Sequence, residues 1–238
     1  MSELAPSVGG GATTDRGQLT LVPGLDSEAL VGQLIRGVLK ASRELDPLGL
    51  QGKLDLGLAA VGLARCIDEI VMPATRLLRG LLATGHRTVD QDLVATEAIR
   101  TWLNDQGSFA PSPVEVGPIL LACGSRETQL VGLESLALLL RFQSRACQVL
   151  GARISTFTLK IAAQAAGAVG VVVISNDSRG LPRAVVLLRA VDDLGIPVFF
   201  AGDAFESPRS REQVPGRYLG TGIESACAFL INALATTN

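Results

Sequence analysis

The segment best suited to bind a ligand is GSRETQLVG, residues 124–132. It follows an apolar run that ends at Cys123 and precedes a leucine-rich segment. The glycines at its two ends, Gly124 and Gly132, permit a tight turn and a close approach of the backbone to a ligand. The polar side chains between them are Ser125, Arg126, Glu127, Thr128 and Gln129. We expect a polar loop between a strand and a helix, where open α/β sheets bind their ligands.

Few other residues in the chain are suited to chemistry. His86 is the only histidine, which excludes a metal site built from several histidines, and we expect it in a solvated turn. The cysteines lack CxxC spacing and have apolar neighbours, which favours buried free thiols. Asp92 and Glu127 could form a carboxylate pair across a cleft, but catalysis is the least favoured class, and we expect no enzyme. The four cysteines are Cys66, Cys123, Cys147 and Cys227.

The charge and hydropathy patterns exclude two classes of partner. The 21 basic residues nearly balance the 23 acidic ones and form no basic stripe, so we expect no direct nucleic-acid binding. No apolar run reaches the roughly 18 residues that a membrane-spanning helix needs. The first residues do not have the pattern of a signal peptide, so we expect a cytoplasmic protein.

The first part of the chain has the pattern of a helical bundle. Residues 1–25 are rich in Gly, Ser, Thr and Pro and are interpreted as a flexible tail. Apolar residues at helical spacing then predict a four-helix bundle over residues 26–107. The four predicted helices run from Asp26 or Ser27 to about Asp46, from Gly52 to Ala64, from Ile67 to Ala83, and from Thr88 or Asp90 through Trp102.

The second part, residues 114–238, has the pattern of a doubly wound parallel sheet. Short runs rich in β-branched residues alternate with helical stretches, which predicts an α/β domain with helices on both faces. The predicted strands are 117–123, 146–150, 169–175 and 196–201, and the predicted helices are 129–142, 156–166, 181–194 and 223–234. The segment 215–220 is interpreted as a turn.

A helical bundle followed by such a Rossmann-like domain resembles the cobalamin-binding modules of methionine synthase and of CarH-type light-sensing regulators. In that family the first strand ends in a Gly-x-x-Asp/Glu-x-His-x-x-Gly loop. The resemblance covers roughly residues 26–234. It includes Leu150-Gly151-Ala152, similar to the family's turn after the second strand, and Ser175, at the family's serine after the third. Residues 88–93, TVDQDL, are similar to the Thr-Val-x-Gln-Glu-His segment of the bundle.

The resemblance implies a ligand set from which the histidines are missing here. Glu127 is in register with the acidic residue that orients the family's cobalt-ligating imidazole, but Gln129 stands where that histidine should be. An amide is a much poorer cobalt ligand than an imidazole. The bundle residues that press on the corrin, a Trp and a Glu-His pair in the family, are Leu82 and Asp92-Leu93 here. Histidine ligation of cobalt, or any other metal site, is not expected.

Two functions remain open. In the first, a sensory module similar to cobalamin-dependent photoreceptors binds a tetrapyrrole between bundle and sheet: cobalamin without histidine ligation, a bilin or heme. The second is a cofactor-free interaction module that acts on a transcription regulator, favoured by the missing histidines and by the lack of room for a winged helix before the bundle. The resemblance and the apolar helical surface imply a homodimer. The residues expected to contact a cofactor are Leu82, Asp92, Leu93, Gly124, Ser125, Arg126, Glu127, Thr128, Gln129, Gly132, Gly151, Ser175 and Gly202.

Overall fold

The helical bundle fills the first half of the computed structural model, which describes residues 27–114, 117–124 and 130–235. Its helices are α1 (Ser27–Arg43), α2 (Pro47–Val61), α3 (Leu63–Cys66), α4 (Met72–Ala83) and α5 (Val89–Gly107). Helices α3 and α4 are joined without a break by residues 67–71 and form one continuous helical rod, the third rod of the bundle. The bundle therefore has four helical rods, the number that the sequence predicts. Within the described part of the chain, no helix is both long and apolar enough to cross a membrane.

The third rod contains a π-helical segment, Ile67–Val71, between α3 and α4. The Met72 amide donates to the Ile67 carbonyl, five residues back. Pro73 would clash with the carbonyl of Glu69 in a regular α-helix, and the wider turn accommodates it. One face of the rod packs in the bundle core through Cys66, Ile67, Ile70, Val71, Ala74 and Leu78. The other face carries Asp68, Met72, Thr75 and Arg79 towards the sheet domain.

The second half is a five-stranded parallel sheet in the order β2-β1-β3-β4-β5. Short 3-10 turns occupy Ser178–Gly180 and Asp203–Phe205. The elements are β1 (Ile119–Cys123), α6 (Val131–Phe142), β2 (Cys147–Gly151), α7 (Thr156–Ala165), β3 (Gly170–Ile174), α8 (Leu181–Asp192), β4 (Val198–Ala201), α9 (Pro208–Arg211), β5 (Arg217–Tyr218) and α10 (Ile223–Ala235).

This strand order places a topological switch point between β1 and β3, where a doubly wound sheet binds its ligands. The register brings the ends of three strands level. Cys123 pairs with Ile174, and Ile174 pairs with Ala201. The residues that follow these strands therefore meet at one edge of the sheet.

Both faces of the sheet are buried, which explains its β-branched strands. In β3, Val172 packs in the core that the sheet shares with the bundle, α6 and α10. Its neighbours Val171 and Val173 point to the opposite face and pack in a second core under α7 and α8. The bundle thus rests on one face of the sheet domain, and the predicted α/β class with helices on both faces is confirmed.

The bounds of several elements differ from those predicted. The second helix begins at Pro47 rather than Gly52, because the Asp46 carboxylate accepts a hydrogen bond from the Gly49 amide at 2.8 Å and caps it. Thr88, one of two predicted caps of the fourth helix, forms a capping box with Gln91. The interpretation of residues 215–220 as a turn alone was wrong, because Arg217–Tyr218 pairs with β4 as the edge strand β5.

Candidate functional site

Three of the predicted site residues, Gly124, Ser175 and Gly202, meet at the switch point. The Gly124 amide donates to the Ile174 carbonyl at 2.8 Å, and the Ser175 amide donates to the Ala201 carbonyl at 3.1 Å. A Cβ on Gly124 would lie 3.2 Å from Ser175 Oγ. A Cβ on Gly202, whose φ is +104°, would lie 2.4 Å from the Ser175 carbonyl oxygen. Gly202 is therefore required here both by its backbone angle and by the close approach of the third strand's end.

A groove lies beside these strand ends, between the bundle and the sheet domain. Its bundle wall is α4, and its opposite walls are the first turns of α6 and α10. The predicted residues Gly132 and Gly202 both line it, as do the small residues Ala201, Gly220, Gly222 and Ala226. Small side chains on the sheet side leave a narrow slot at the place where this class of fold binds ligands.

The groove is nearly closed. Its cavity volume is about 60 Å³, which is space for a few water molecules. Helix α4 lies close to the opposite wall: a Cβ on Gly132 would be 3.4 Å from Met72 Cε. Direct packing of the bundle on the sheet domain therefore takes up most of the space.

Polar contacts hold α4 and the π segment against the sheet domain. Asp68 accepts hydrogen bonds from the amides of Ile223 and Glu224, at 2.7 and 3.1 Å, and so caps α10. Arg79 Nη2 lies 2.6 Å from Asp203 Oδ2, just after β4. Between these two contacts, Arg76 Nη2 approaches the Thr221 carbonyl oxygen at 3.5 Å.

A further ion pair joins α5 to α6 outside the groove. Arg100 Nε donates to both carboxylate oxygens of Glu134 at 3.0 Å, and its Nη2 donates to Oε1 at 2.8 Å. Hydrogen bonding to Glu134 is the main cause that raises the pKa of Arg100. This forked geometry fixes the orientation of α5 on the sheet domain.

The predicted bundle residues lie near the end of α4 and the start of α5. Leu82 is half-buried in the last turn of α4, whereas Leu93 is 59% exposed and its neighbour Val89 73% exposed. Apolar side chains are therefore presented to solvent at positions where the resemblance implies cofactor contacts. His86, in the turn between the two helices, is exposed, with Nδ1 3.0 Å from Thr84 Oγ1.

Asp92 has a structural partner. Its Oδ1 lies 3.8 Å from Nε of the buried Arg87, whose Nη2 donates to the Gln91 carbonyl. Burial lowers the pKa of Arg87, and the charge of Asp92 opposes that shift. Asp92 thus balances a buried cation, which accounts for it without a catalytic carboxylate pair.

The predicted residue Gly151 lies apart from the groove. Gly151, with φ +87°, ends the edge strand β2 opposite Ala122 and does not line the groove. Its φ explains the glycine of the Leu-Gly-Ala turn. The loop residues Ser125, Arg126, Glu127, Thr128 and Gln129 lie outside the described residues.

Sequence reasoning missed the residues that close the groove: Asp68, Met72, Arg79 and Asp203. Arg79 and Asp203 are 124 positions apart in the sequence, and Asp68 and Glu224 are 156 positions apart. No local spacing therefore indicates these contacts. One weak signal was present. Pro73 inside a helical pattern, shortly after Asp68 and Glu69, marks a disturbed helix, and such disturbances are frequent at functional sites.

The small residues in the walls of the groove suit a tetrapyrrole with a side chain. The open volume of the groove, however, is too small for one. Glycine and alanine on the sheet side would let a flat or extended ligand lie close to the strand ends. The open space, about 60 Å³, is well below the roughly 300 to 1,000 Å³ of ligand pockets. Among the described residues there is no cluster of three or more His, Cys, Asp or Glu side chains that would hold a metal. A tetrapyrrole would fit only after α4 moves away from the sheet domain.

Comparison with known proteins gives structural matches only. No protein-family model and no curated protein matches the sequence. The monomethylamine corrinoid protein of Methanosarcina barkeri superposes with a TM-score of 0.65 at 12% identity, over 84% of this chain and 99% of that chain.

Two weaker matches also come from cobalamin proteins. A chain of the methanol:cobalamin methyltransferase complex of Methanosarcina barkeri gives a TM-score of 0.44 at 15% identity, over 92% of this chain and 86% of that one. A cobalamin-binding protein of Desulfitobacterium hafniense gives 0.43 at 11%, over 84% and 98%. At sequence identities this low, a structural match shows the fold alone. Only the first match has a TM-score high enough to support a conclusion about the fold. The chain therefore has the fold of a corrinoid protein.

Proposed function

We propose that this chain is a sensory or regulatory module that binds a tetrapyrrole, with a corrinoid as the first candidate, in the groove between bundle and sheet. The meeting of Gly124, Ser175 and Gly202 at the switch point of a corrinoid-protein fold carries the proposal. Ligands of doubly wound folds bind at this place. With Gln129 in place of a ligating histidine, a bound corrinoid would be held by its edges and side chains.

The chain's own residues would hold such a ligand in three ways. The glycines let it approach the strand ends closely, and Arg76 gives the bundle wall of the groove a positive charge, whereas the charge of Arg79 is balanced by Asp203. Val89 and Leu93 do not line the groove, so only a ligand that extends beyond it would bury these exposed side chains, at a gain of roughly 1.5 kcal/mol or more for each. A bound corrinoid would supply a cobalt centre that responds to light or to redox state.

A binding role suits the groove better than catalysis. Asp68 caps α10, and Asp203 is paired with Arg79. A general acid or base needs a carboxyl group that is positioned to exchange a proton with a substrate. The two carboxylates that the described residues place beside the groove instead hold the bundle in place, so we propose no enzymatic reaction for this chain.

Chromophore retention tests the proposal. The purified protein is incubated with hydroxocobalamin, heme or biliverdin, in the dark and in light, and is then desalted. We expect one chromophore to remain in the absorption spectrum at close to one equivalent. Thr75→Trp, which fills the groove from α4, should abolish retention, whereas Thr158→Trp on the opposite face should not. A well-folded protein that retains none of the three, or a Thr75→Trp variant that retains as much as wild type, would contradict groove binding.

A second candidate is a cofactor-free interaction module that acts on a transcription regulator. The narrow groove favours it, because Met72 Cε would lie only 3.4 Å from a Cβ on Gly132. In this case exposed Val89 and Leu93 would contact a protein partner rather than a cofactor. Partner capture by wild type and not by Val89→Asp/Leu93→Asp, together with no retained chromophore, would favour it. Light scattering tests the proposed homodimer, and a monomer at working concentration would contradict it.

A further inference from the structure

We propose that residues 19–25 of this chain, which lie outside the described residues, bind in a cleft formed by α3, α6 and α10. These residues are called the N-terminal segment below, and the cleft is called the α10 cleft. The residues of α6 and α10 that line the α10 cleft do not line the groove at the strand ends. Binding of the N-terminal segment is therefore independent of the proposed function.

The α10 cleft has apolar walls that are open to solvent. It is lined by Leu63 of α3, by Leu139 and Phe142 of α6, and by Ala228 and Ile231 of α10. Its cavity volume is about 450 Å³, several times that of the groove. Phe142 is 36% exposed, and Ala228 is exposed as well. Exposed apolar surface of this kind is typical of a site that another apolar chain covers.

The described part of the chain begins beside the α10 cleft. Arg65 Nη2 donates to Ser27 Oγ at 3.5 Å, and Arg65 directly follows the lining residue Ala64. Hydrogen bonding to Glu69 is the main cause that raises the pKa of Arg65, and the charge of Glu224, which lines the cleft, adds to it. Arg65 therefore lies at the rim of the cleft, and the residues before Ser27 join the molecule there.

The N-terminal segment has the composition that such walls favour. Its sequence is LTLVPGL, in which four of the seven side chains are leucine or valine and none is charged. The preceding residues, 5–18, contain one large apolar side chain, Val8. Burial of apolar side chains is the main favourable term when two apolar surfaces associate. The N-terminal segment is thus much better suited to the cleft than the residues before it.

The N-terminal segment is also long enough to fill the α10 cleft. Seven extended residues reach about 23 Å from Ser27. The part of α10 that lines the cleft, from Glu224 to Ile231, is about 10 Å long. Pro23-Gly24 favours a turn, which would direct the apolar residues before it back from α1 along α10.

Attachment to α1 favours the chain's own segment over a separate molecule. A short linker gives a tethered group an effective concentration of roughly millimolar at a site within its reach. A second copy of the chain, or another protein, would have to compete with this concentration. We therefore expect the cleft to be covered within one chain, whatever the protein concentration.

Reporter thiols on two exposed helical alanines test this binding on the full chain. Ala228→Cys places a thiol in the wall of the α10 cleft, and Ala165→Cys places one on α7, on the opposite face of the sheet. Alkylation by N-ethylmaleimide is followed by mass spectrometry of the labelled peptides. Adding Leu19→Asp and Leu21→Asp should speed alkylation of Ala228→Cys about tenfold, because acidic side chains no longer fill an apolar cleft.

Two controls belong to this experiment. Adding Val8→Asp, which changes an apolar residue before the N-terminal segment, should leave the alkylation rate of Ala228→Cys unchanged. The rate for Ala165→Cys should be the same in all backgrounds. The proposal is overturned if Leu19→Asp with Leu21→Asp does not speed alkylation of Ala228→Cys, or if dilution alone does, since the latter would mean that a second copy covers the cleft.

Photocrosslinking identifies the occupant directly. Leu21→p-benzoylphenylalanine should crosslink within one chain to residues 139–143 or 224–232, and Val8→p-benzoylphenylalanine should not. Adding Ala228→Glu, which places a charge in the cleft, should abolish this crosslink, whereas Ala165→Glu should preserve it. Crosslinks from position 21 that lie only outside these ranges, or only between chains, would contradict the proposal.

Discussion

Arg79 of the bundle and Asp203 of the sheet domain form an ion pair, with 2.6 Å between Nη2 and Oδ2, across the mouth of the groove. The pair joins a helix of the bundle to the turn after β4. It therefore connects the two halves of the molecule at the edge where doubly wound sheets bind ligands. The stability of this contact bears directly on how the groove opens.

Removing the charge of Arg79 should have a small effect on stability. Because both side chains are more than a third exposed, Arg79→Gln should lower the free energy of unfolding by about 0.5 kcal/mol, and by less at high salt. Urea denaturation at low and high ionic strength measures this. A loss above about 2 kcal/mol would show that Arg79 has a packing role that exposed ion pairs lack.

The cap from Asp68 should contribute more. Asp68→Ala leaves the amides of Ile223 and Glu224 without their acceptor and should cost about 1 kcal/mol of unfolding free energy. Asn caps helices about as well as Asp, so Asp68→Asn should retain most of the stability. Denaturation of both variants distinguishes the cap from the charge. If Asp68→Asn were as unstable as Asp68→Ala, the cap would not explain the contribution of Asp68.

The buried thiol of Cys66 should make the protein less stable in alkali. Burial, the largest cause, and the nearby Asp55 charge raise the pKa of the Cys66 thiol to about 12. In the unfolded chain its pKa would be about 8.5, so above that pH the unfolded state ionises first. Stability from this group is intact below pH of about 8.5 and falls by about 1.4 kcal/mol per pH unit until the folded thiol ionises.

Comparison with Cys66→Ala isolates this contribution from other groups that ionise in alkali. The wild type and the variant are unfolded with urea, with reductant present, at pH 8 and pH 10. The wild type should lose roughly 2 kcal/mol more than Cys66→Ala over this interval. Equal losses would show that the Cys66 thiol ionises as readily in the folded protein as in the unfolded chain.

A histidine at position 129 tests the resemblance to cobalamin modules. If the groove takes up cobalamin, Gln129→His should give the spectrum of a histidine-ligated corrinoid, since Glu127 is in register to orient the imidazole. Gln129→Asn, which adds no imidazole, is the matched control. A retained corrinoid with identical spectra in both variants would mean that position 129 does not face the cobalt.

The order of most elements could be predicted because these elements have local signals. Alternating faces in β3 follow from Val171, Val172 and Val173, and the start of α5 follows from the Thr88–Gln91 capping box. Asp46 and Pro47 also signal the true start of α2, but the apolar spacing from Gly52 onwards outweighed them. Edge strand β5 was missed because only two residues pair.

The candidate site could be predicted only on its sheet side. Gly124, Ser175 and Gly202 each follow a strand, and parallel strands end at the same edge, so their meeting follows from the strand pattern. The bundle side depends on how a helix packs on a domain more than a hundred residues away. Nothing in the spacing around Arg79 indicates Asp203 as its partner. The closure of the groove therefore results from tertiary packing, which the sequence pattern does not indicate.

Equilibrium dialysis against hydroxocobalamin, heme and biliverdin tests whether the groove beside Gly202 binds a tetrapyrrole. We expect one of them to bind wild type at one site. Thr75→Trp, which fills the groove, should lose that binding, and Thr158→Trp should keep it. Binding of none of them to folded wild type, or equal binding to all three proteins, would contradict it.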